Sequence, residues 1–297
     1  MQIQLLNGYY FLYIGIAIFL LVGLYVILRH RIDAYLILQI IAFLNLGIHF
    51  CKLLIEPYRS GLPDTLRKVT PENICAVSTL LLPFVLMLKD GKIKNYFFFI
   101  SFIGGCAAMF YPMEALGKEA FALDTIRFYI CHMILFFIPV LATLLGYFQF
   151  SYDWKAILSV PILFLVVECI ILSNEYVLRW IGFVNPDWSI FYNRMDRNSS
   201  FIFGPLPALD DIYQVMMDVM VPRCLKTDYF GITKDGVFYF PVFWMTLPVF
   251  VYFPILYTIV YGIFRLLSRL GDSKDSVLKK KESKSKRMCF DSNHVER

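Results

Sequence analysis

Seven stretches of this sequence each run for about 17 residues or more with few or no charged side chains. A run of that length, wound as a helix, crosses the roughly 30 Å of hydrocarbon in a bilayer. A backbone that is not helical finds no water to hydrogen-bond there, so each run is predicted to be a helix. The sequence therefore predicts an all-α polytopic membrane protein with seven transmembrane helices, at about residues 9–28, 34–55, 72–88, 95–112, 127–150, 156–176 and 238–264.

The composition supports this class and excludes others. Of the 297 residues, 59% are hydrophobic and only 17% are charged, which is too little charge to cover the surface of a soluble domain. Much of the net charge of +5 lies in one C-terminal segment, so nucleic acid is not an expected partner. The seven cysteines are scattered, without a CxxC pair or the spacing of a metal site. We therefore expect no metal and no cofactor.

The basic residues between the apolar runs predict the orientation. Arg29, Arg31, the cluster at 89–94 and the C-terminal segment all fall on one side of the membrane. Cytoplasmic segments of membrane proteins are enriched in Lys and Arg, so we predict an N-out/C-in arrangement.

Two domains follow from this orientation. Residues 1–268 form the transmembrane domain, which includes a long extracytoplasmic loop at 177–237 with interfacial helices such as 208–221. Residues 269–297 form a basic, disordered cytoplasmic tail. We expect the tail to bind anionic lipid of the inner leaflet, or else to act only as a topology anchor.

Polar residues within the predicted spans are costly and therefore informative. Asn45, His49 and Lys52 recur at helical spacing and share one face of the second span. With the predicted orientation, His49, Cys75, His132 and Glu168 from four different spans all lie within roughly 12 Å of the outer surface. Such a layer predicts a polar site that opens toward the outer leaflet.

Cys75 lies near the predicted start of the third span. Thr70 is a plausible N-cap and Pro71 suits the first helical position, so the thiol would lie just past the first turn. A thiol near a helix N-terminus and an imidazole are the parts of Cys–His covalent catalysis, with His132 as the base. The alternative interpretation is a small span residue and an interhelical histidine. Asn73, His49 and Glu168 all remain candidates for a third catalytic member.

Four segments in order resemble the YwaF family of bacterial integral membrane proteins, over residues 70 to about 210. They are TPENICAVSTLLLPFVLML, GGCAAMFYP, IRFYICHMILFFIPVL and NRMDRNSSFIFGPLP. An animal relative of that family is an ether-phospholipid acyltransferase, so the resemblance implies an acyl-accepting Cys75 with His132 as its base. It also implies a multi-pass protein of the cell membrane. Asn73 stands where the family has a histidine.

The resulting functional hypothesis is a lipid acyltransferase or lipid hydrolase that acts on membrane phospholipid. Cys75 and His132 are the predicted catalytic residues, and His49, Asn73 and Glu168 are predicted to contact the substrate. The alternative is a non-catalytic transporter or lipid-binding protein whose polar layer forms an outer cavity. A third interpretation is a structural scaffold whose long outer loop binds partners, which the sequence does not identify.

Overall fold

The computed structural model describes residues 1–62, 64–185, 187–192, 200–205, 220–227 and 238–292, with side chains up to residue 269. Its α-helices are α1 Gly8–Leu28, α2 Ala34–Cys51, α3 Ile74–Met87, α4 Lys92–Phe110, α5 Leu123–Leu144, α6 Trp154–Trp180, the short α7 Trp188–Phe191 and α8 Thr246–Ser292. Two residue pairs form an antiparallel ladder between β1 Lys226–Thr227 and β2 Phe238–Tyr239.

Six helices of the described chain are long and apolar enough to cross a membrane, and they confirm the all-α membrane class. The spans are Gly8–Leu28, Ala34–Leu54, Lys92–Phe110, Leu123–Leu144, Trp154–Trp180 and Phe243–Arg269. The bounds agree with six of the seven predicted spans to within a few residues, except where noted below. The direction in which these helices cross remains a prediction.

The remaining predicted span, 72–88, forms α3, which has only 14 residues. At 1.5 Å per residue such a helix is about 21 Å long, shorter than the hydrocarbon layer. It is short because both ends are fixed locally. The side chain of Asn73 caps its start, and Leu88 is extended, with ψ at 153°, immediately before the polar segment Lys89–Gly91.

The helices pack around α4 and α5. In the most apolar stretch of α5, 67% of the residues are buried, compared with 17% in α1. The central helix α4 contacts α3, α5 and α6, and its aromatic residues Tyr96, Phe98 and Phe99 have no solvent exposure. The exposed faces of the outer helices are apolar, as lipid contact requires; Phe19 of α1 is 77% exposed.

Two predicted spans differ from the structure in their bounds. The fifth, predicted at 127–150, is α5 at Leu123–Leu144, because Gly146 with φ of +77° ends the helix and the Tyr147 amide bonds back to Ala142 O at 2.8 Å. The last span, predicted from 238, begins only after Pro241. Residues 238–239 are instead paired as β2, and proline has no amide to donate within a helix.

Helix α8 continues to Ser292, through the segment for which the sequence predicts a disordered tail. The side chains beyond residue 269 are outside the described residues, so the expected contact of this segment with anionic lipid remains a prediction. Most of the predicted interfacial helix at 208–221 is also outside the described part of the chain.

Candidate functional site

Cys75 lies in the first turn of α3, two residues after the N-cap, whereas the predicted cap at Thr70 would place it five residues after. The N-cap is Asn73, whose Oδ1 accepts a hydrogen bond from the Ala76 amide at 2.8 Å. The predicted cap, Thr70, instead donates its hydroxyl to Arg67 O at 2.6 Å. The prediction of Thr70 as the cap is therefore wrong, because that residue still belongs to the preceding turn. The partial positive charge at a helix N-terminus is strongest within the first turn, where the thiol now lies.

Two consecutive glycines on α4 lie close to Cys75 and to the backbone of His132. A Cβ added to Gly104 would be 3.1 Å from the Cys75 sulfur. A Cβ added to the next residue, Gly105, would be 2.8 Å from the His132 carbonyl oxygen and 2.9 Å from the Phe136 amide nitrogen. Helices α3 and α5 therefore approach α4 closely at two consecutive residues, with the Cys75 sulfur next to one glycine and the His132 carbonyl oxygen next to the other.

The hydrogen bond of His132 identifies which ring nitrogen is available for chemistry. Its Nδ1 lies 2.8 Å from the carbonyl oxygen of Phe128, one turn earlier on α5. A carbonyl oxygen can only accept, so Nδ1 carries the proton and Nε2 of the neutral ring keeps its lone pair. The orienting group in the structure is thus a backbone carbonyl, rather than any of the three side chains that the sequence left open for that role.

Glu114, in the loop between α4 and α5, is a candidate residue that sequence reasoning missed. Its side chain is exposed, and its carboxylate lies within electrostatic range of Cys75, His132 and Lys52. The available signal was its position, because it follows the fourth span directly, two residues after Pro112. Its carboxylate adds a negative group to the surroundings of Cys75 and His132.

Two cations, Lys52 and Arg127, lie near His132. Lys52 is only 7% exposed, and its Nζ donates to Lys68 O at 2.5 Å. Arg127 donates to Asp124 Oδ1 at 2.7 Å, and both cations lie over the ring of Tyr58, at 5.9 and 5.6 Å from its centroid. Burial, together with the Asp124 carboxylate, raises the pKa of Tyr58 well above its ordinary value. Lys52 and Arg127 also act electrostatically on His132, so two cations and one acid, Glu114, surround the site.

The polar residues predicted to share one face are all buried: Asn45 and His49 in α2, and Lys52 in the turn directly after it. Asn45 Nδ2 lies 3.4 Å from Cys131 O on α5, and His49 Nε2 lies 3.2 Å from Val69 O in the segment before α3. These contacts join α2 to α5, which carries His132, and to the segment that leads into α3, which carries Cys75.

The other two residues predicted to contact the substrate, Asn73 and Glu168, interact with other groups. The Oδ1 atom of Asn73 is used by the helix cap. Glu168 lies within electrostatic range of Tyr96 on α4, whereas the acid that acts on Cys75 is Glu114. Substrate contact by His49, Asn73 and Glu168 remains a prediction.

Ser200 joins the long loop after α6 to the start of α3. Its Oγ accepts a hydrogen bond from the Ile74 amide at 3.1 Å, next to Cys75, and its side chain is buried. The following residues are fixed to the start of α8. There, Trp244 Nε1 donates to Phe201 O at 2.9 Å and the Val242 amide donates to Ile202 O at 2.9 Å. Because the Ser200 oxygen accepts from Ile74, its own hydroxyl proton remains available to a neighbouring acceptor.

Within the described part of the chain, no group of three or more His, Cys, Asp or Glu side chains comes together as metal ligands.

A protein-family model matches residues 4–209 of the sequence, more than two-thirds of its length. The chain belongs to the TMEM164 family. The region shared with the TMEM164 family contains α1 to α6 and every site residue described above. No curated protein and no solved structure matches the chain. The likeness of residues 70 to about 210 to the YwaF family therefore remains a resemblance alongside the TMEM164-family membership.

Proposed function

We propose that this TMEM164-family protein is a lipid acyltransferase or lipid hydrolase in which Cys75 receives a fatty acyl group and His132 moves the proton. The observation that supports this proposal best is the glycine pair of α4, which faces the Cys75 sulfur with one residue and the His132 backbone with the next. A thiol and an imidazole with a free Nε2 are the two groups that covalent acyl transfer needs.

The proposed reaction has two steps that balance in atoms and charge. In the first, His132 Nε2 takes the thiol proton as the sulfur attacks the ester carbonyl carbon of a phospholipid. The carbon–oxygen bond of the ester then breaks, and the leaving alkoxide takes the proton from the imidazolium. In the second, Nε2 takes a proton from an acceptor hydroxyl or from water, whose oxygen attacks the thioester. The thiolate leaves and recovers its proton from the ring.

The surroundings of Cys75 suit the charge that develops in this reaction. The tetrahedral intermediate places a negative charge on the former carbonyl oxygen, and a helix N-terminus and a hydroxyl donor both stabilise such a charge. The first turn of α3 supplies the helix terminus, and Ser200, bonded to the Ile74 amide, supplies the hydroxyl. We assign Ser200 as a donor to the oxyanion.

The two cations near His132 support a phospholipid as the substrate. A headgroup phosphate is recognised by cations that are poorly solvated and held in place. Lys52 and Arg127 meet this description, because both are largely buried and lie over the same tyrosine ring. In this proposal they contact the phosphate while the ester reaches the thiol.

The proposal is tested with purified full-length protein in liposomes of defined phospholipid. Lipid mass spectrometry follows acyl exchange, and a clickable fatty acyl lipid reports an acyl group on the protein that hydroxylamine releases. Cys75→Ala should abolish both signals, and His132→Ala should lower the rate by roughly 10²–10⁴-fold. Cys106→Ala, which removes another partly buried thiol on α4, is the matched control and should behave like the wild type. Equal acyl exchange by the wild type and both site variants would refute the proposal, and lipid binding without exchange would favour a lipid-binding protein.

A further inference from the structure

Glu168 lies at the middle of α6 with no solvent exposure. Neither of its carboxylate oxygens has a hydrogen-bond partner in the described part of the chain, and no described charged group acts on it. An ionised carboxylate buried without a compensating charge costs several kcal/mol, and a membrane interior offers it no water. The proposed acyl chemistry does not explain why a carboxyl group is buried at this position.

The neighbouring helix α4 presents a second unpartnered group to Glu168. Tyr96 has no solvent exposure, its hydroxyl has no hydrogen-bond partner among the described residues, and it lies within electrostatic range of Glu168. A tyrosine hydroxyl both donates and accepts, so it can complement a carboxylic acid but cannot neutralise a carboxylate. Two unsatisfied groups on packed helices indicate a shared partner, such as an internal water.

Two titratable groups on helices packed against α6 interact with partners other than Glu168. Tyr257 of α8 donates its hydroxyl to Ser151 O at 2.6 Å, near the start of α6, and the acid that acts on it is Asp153. Cys75 of α3 is acted on by Glu114. The thiol of Cys169, the next residue on α6, is on an exposed side chain and carries no charge as a thiol.

This pair is separate from the candidate catalytic site. Tyr96 precedes Gly104, which contacts the Cys75 sulfur, by eight positions on α4. At 1.5 Å per residue, the two levels are roughly 12 Å apart along the helix.

We propose that Glu168 is a buried proton-binding site, held as a neutral carboxylic acid at neutral pH and joined to the Tyr96 hydroxyl through an internal water. The ligand of this site is one proton. As the pH rises, loss of that proton introduces an unpaired negative charge between α4 and α6, so the folded state is destabilised. The packing of these two helices is thereby linked to pH, independently of any reaction at Cys75.

Infrared spectroscopy of the full-length protein in liposomes tests this proposal directly. The wild type at neutral pH should show the carbonyl stretch of a protonated carboxylic acid, and Glu168→Gln should lack it. Glu175→Gln, which alters another buried glutamate on α6, is the matched control and should retain the band. Tyr96→Phe should shift the band toward that of a less hydrogen-bonded acid.

Thermal unfolding gives a second measurement. The wild type should lose stability as the pH is raised, whereas Glu168→Gln should lose less, because the amide cannot ionise. If Glu168→Gln does not fold, the Tyr96→Phe shift and the wild-type pH dependence decide the question. A wild type without the acid band at neutral pH would overturn the proposal. So would a melting temperature that depends on sodium or potassium at constant ionic strength, because a metal cation would then replace the proton.

Discussion

Gly104 leaves the sulfur of Cys75 no spare room, since a Cβ at this position would lie 3.1 Å from Sγ. The contact is between a helix backbone and a side-chain thiol, so the position of the thiol depends on the absence of a side chain at residue 104. The neighbouring Gly105 likewise allows the backbone of α5 to approach α4 closely. The glycine pair is therefore part of the site, although it contributes no functional group.

Alanine at these two glycines should have different effects. Gly105→Ala places a Cβ 2.8–2.9 Å from backbone atoms of His132 and Phe136 that cannot easily move, so we expect a loss of stability of about 1–3 kcal/mol. Gly104→Ala meets a side chain, so it should fold but alter the rate at which a maleimide labels Cys75. Gly15→Ala in α1, where nothing lies within 4 Å, is the control and should change neither property. Unfolding in detergent and timed labelling measure both effects; equal melting temperatures for Gly105→Ala and Gly15→Ala would contradict the close packing.

Asn73 offers a way to separate helix capping from substrate contact. Asn73→Ala removes the Oδ1 acceptor for the Ala76 amide, so we expect a loss of about 1 kcal/mol. Asn73→Ser retains a capping oxygen and should restore that stability. If Asn73 also contacts the substrate, as the sequence predicts, both variants will raise KM for the phospholipid. Normal kinetics in Asn73→Ser would limit the role of Asn73 to the cap.

Asp124 should be important for stability because it holds two cations at once. Its carboxylate is largely buried and accepts from Lys118 Nζ at 2.6 Å and from Arg127 at 2.7 Å. Asp124→Asn leaves Arg127 buried without its counter-charge, and breaking a buried pair in this way typically costs about 3–5 kcal/mol.

The matched control is Asp33→Asn, which breaks an exposed pair with Arg31. That pair is screened by solvent, so this variant should unfold at nearly the wild-type temperature. Similar losses of stability for Asp124→Asn and Asp33→Asn would show that the buried network is not a stabilising element.

Lys52 tests the proposed headgroup contact. Lys52→Gln retains a polar side chain of similar reach but removes the charge, so we expect KM for a phospholipid substrate to rise about 10-fold or more, with a smaller change in kcat. Lys92→Gln, which alters an exposed lysine at the start of α4, should leave KM unchanged. An unaltered KM in Lys52→Gln would exclude this lysine from substrate binding.

The fold class was predictable because a long uncharged run in a bilayer must form a helix to satisfy its backbone hydrogen bonds. The burial of Asn45, His49 and Lys52 was predictable as well, since the three residues follow helical spacing. The length of α3 was not, because it depends on which of several capping residues before Cys75 is used. The start of α8 depends on pairing between Lys226–Thr227 and Phe238–Tyr239, a contact between segments distant in sequence.

The candidate site was predictable only in part, because it too depends on contacts between segments that are distant in sequence. Cys75 and His132 stand out as polar residues in apolar runs, whereas Glu114, Ser200 and Tyr58 lie in connecting segments. Their positions are set by tertiary contacts, such as the bond from Trp244 to Phe201 O, and no periodic pattern records such contacts.

The shortness of α3 has a consequence for how a substrate would reach the thiol. A helix about 9 Å too short for the bilayer leaves at least one of its ends recessed below the level of the phosphates. Phospholipid esters lie just beneath the phosphates, at the boundary with the acyl chains. If Cys75 lies at the recessed end, a lipid need not leave the leaflet or enter a tunnel to bring its ester to the sulfur; lateral diffusion within the leaflet is sufficient.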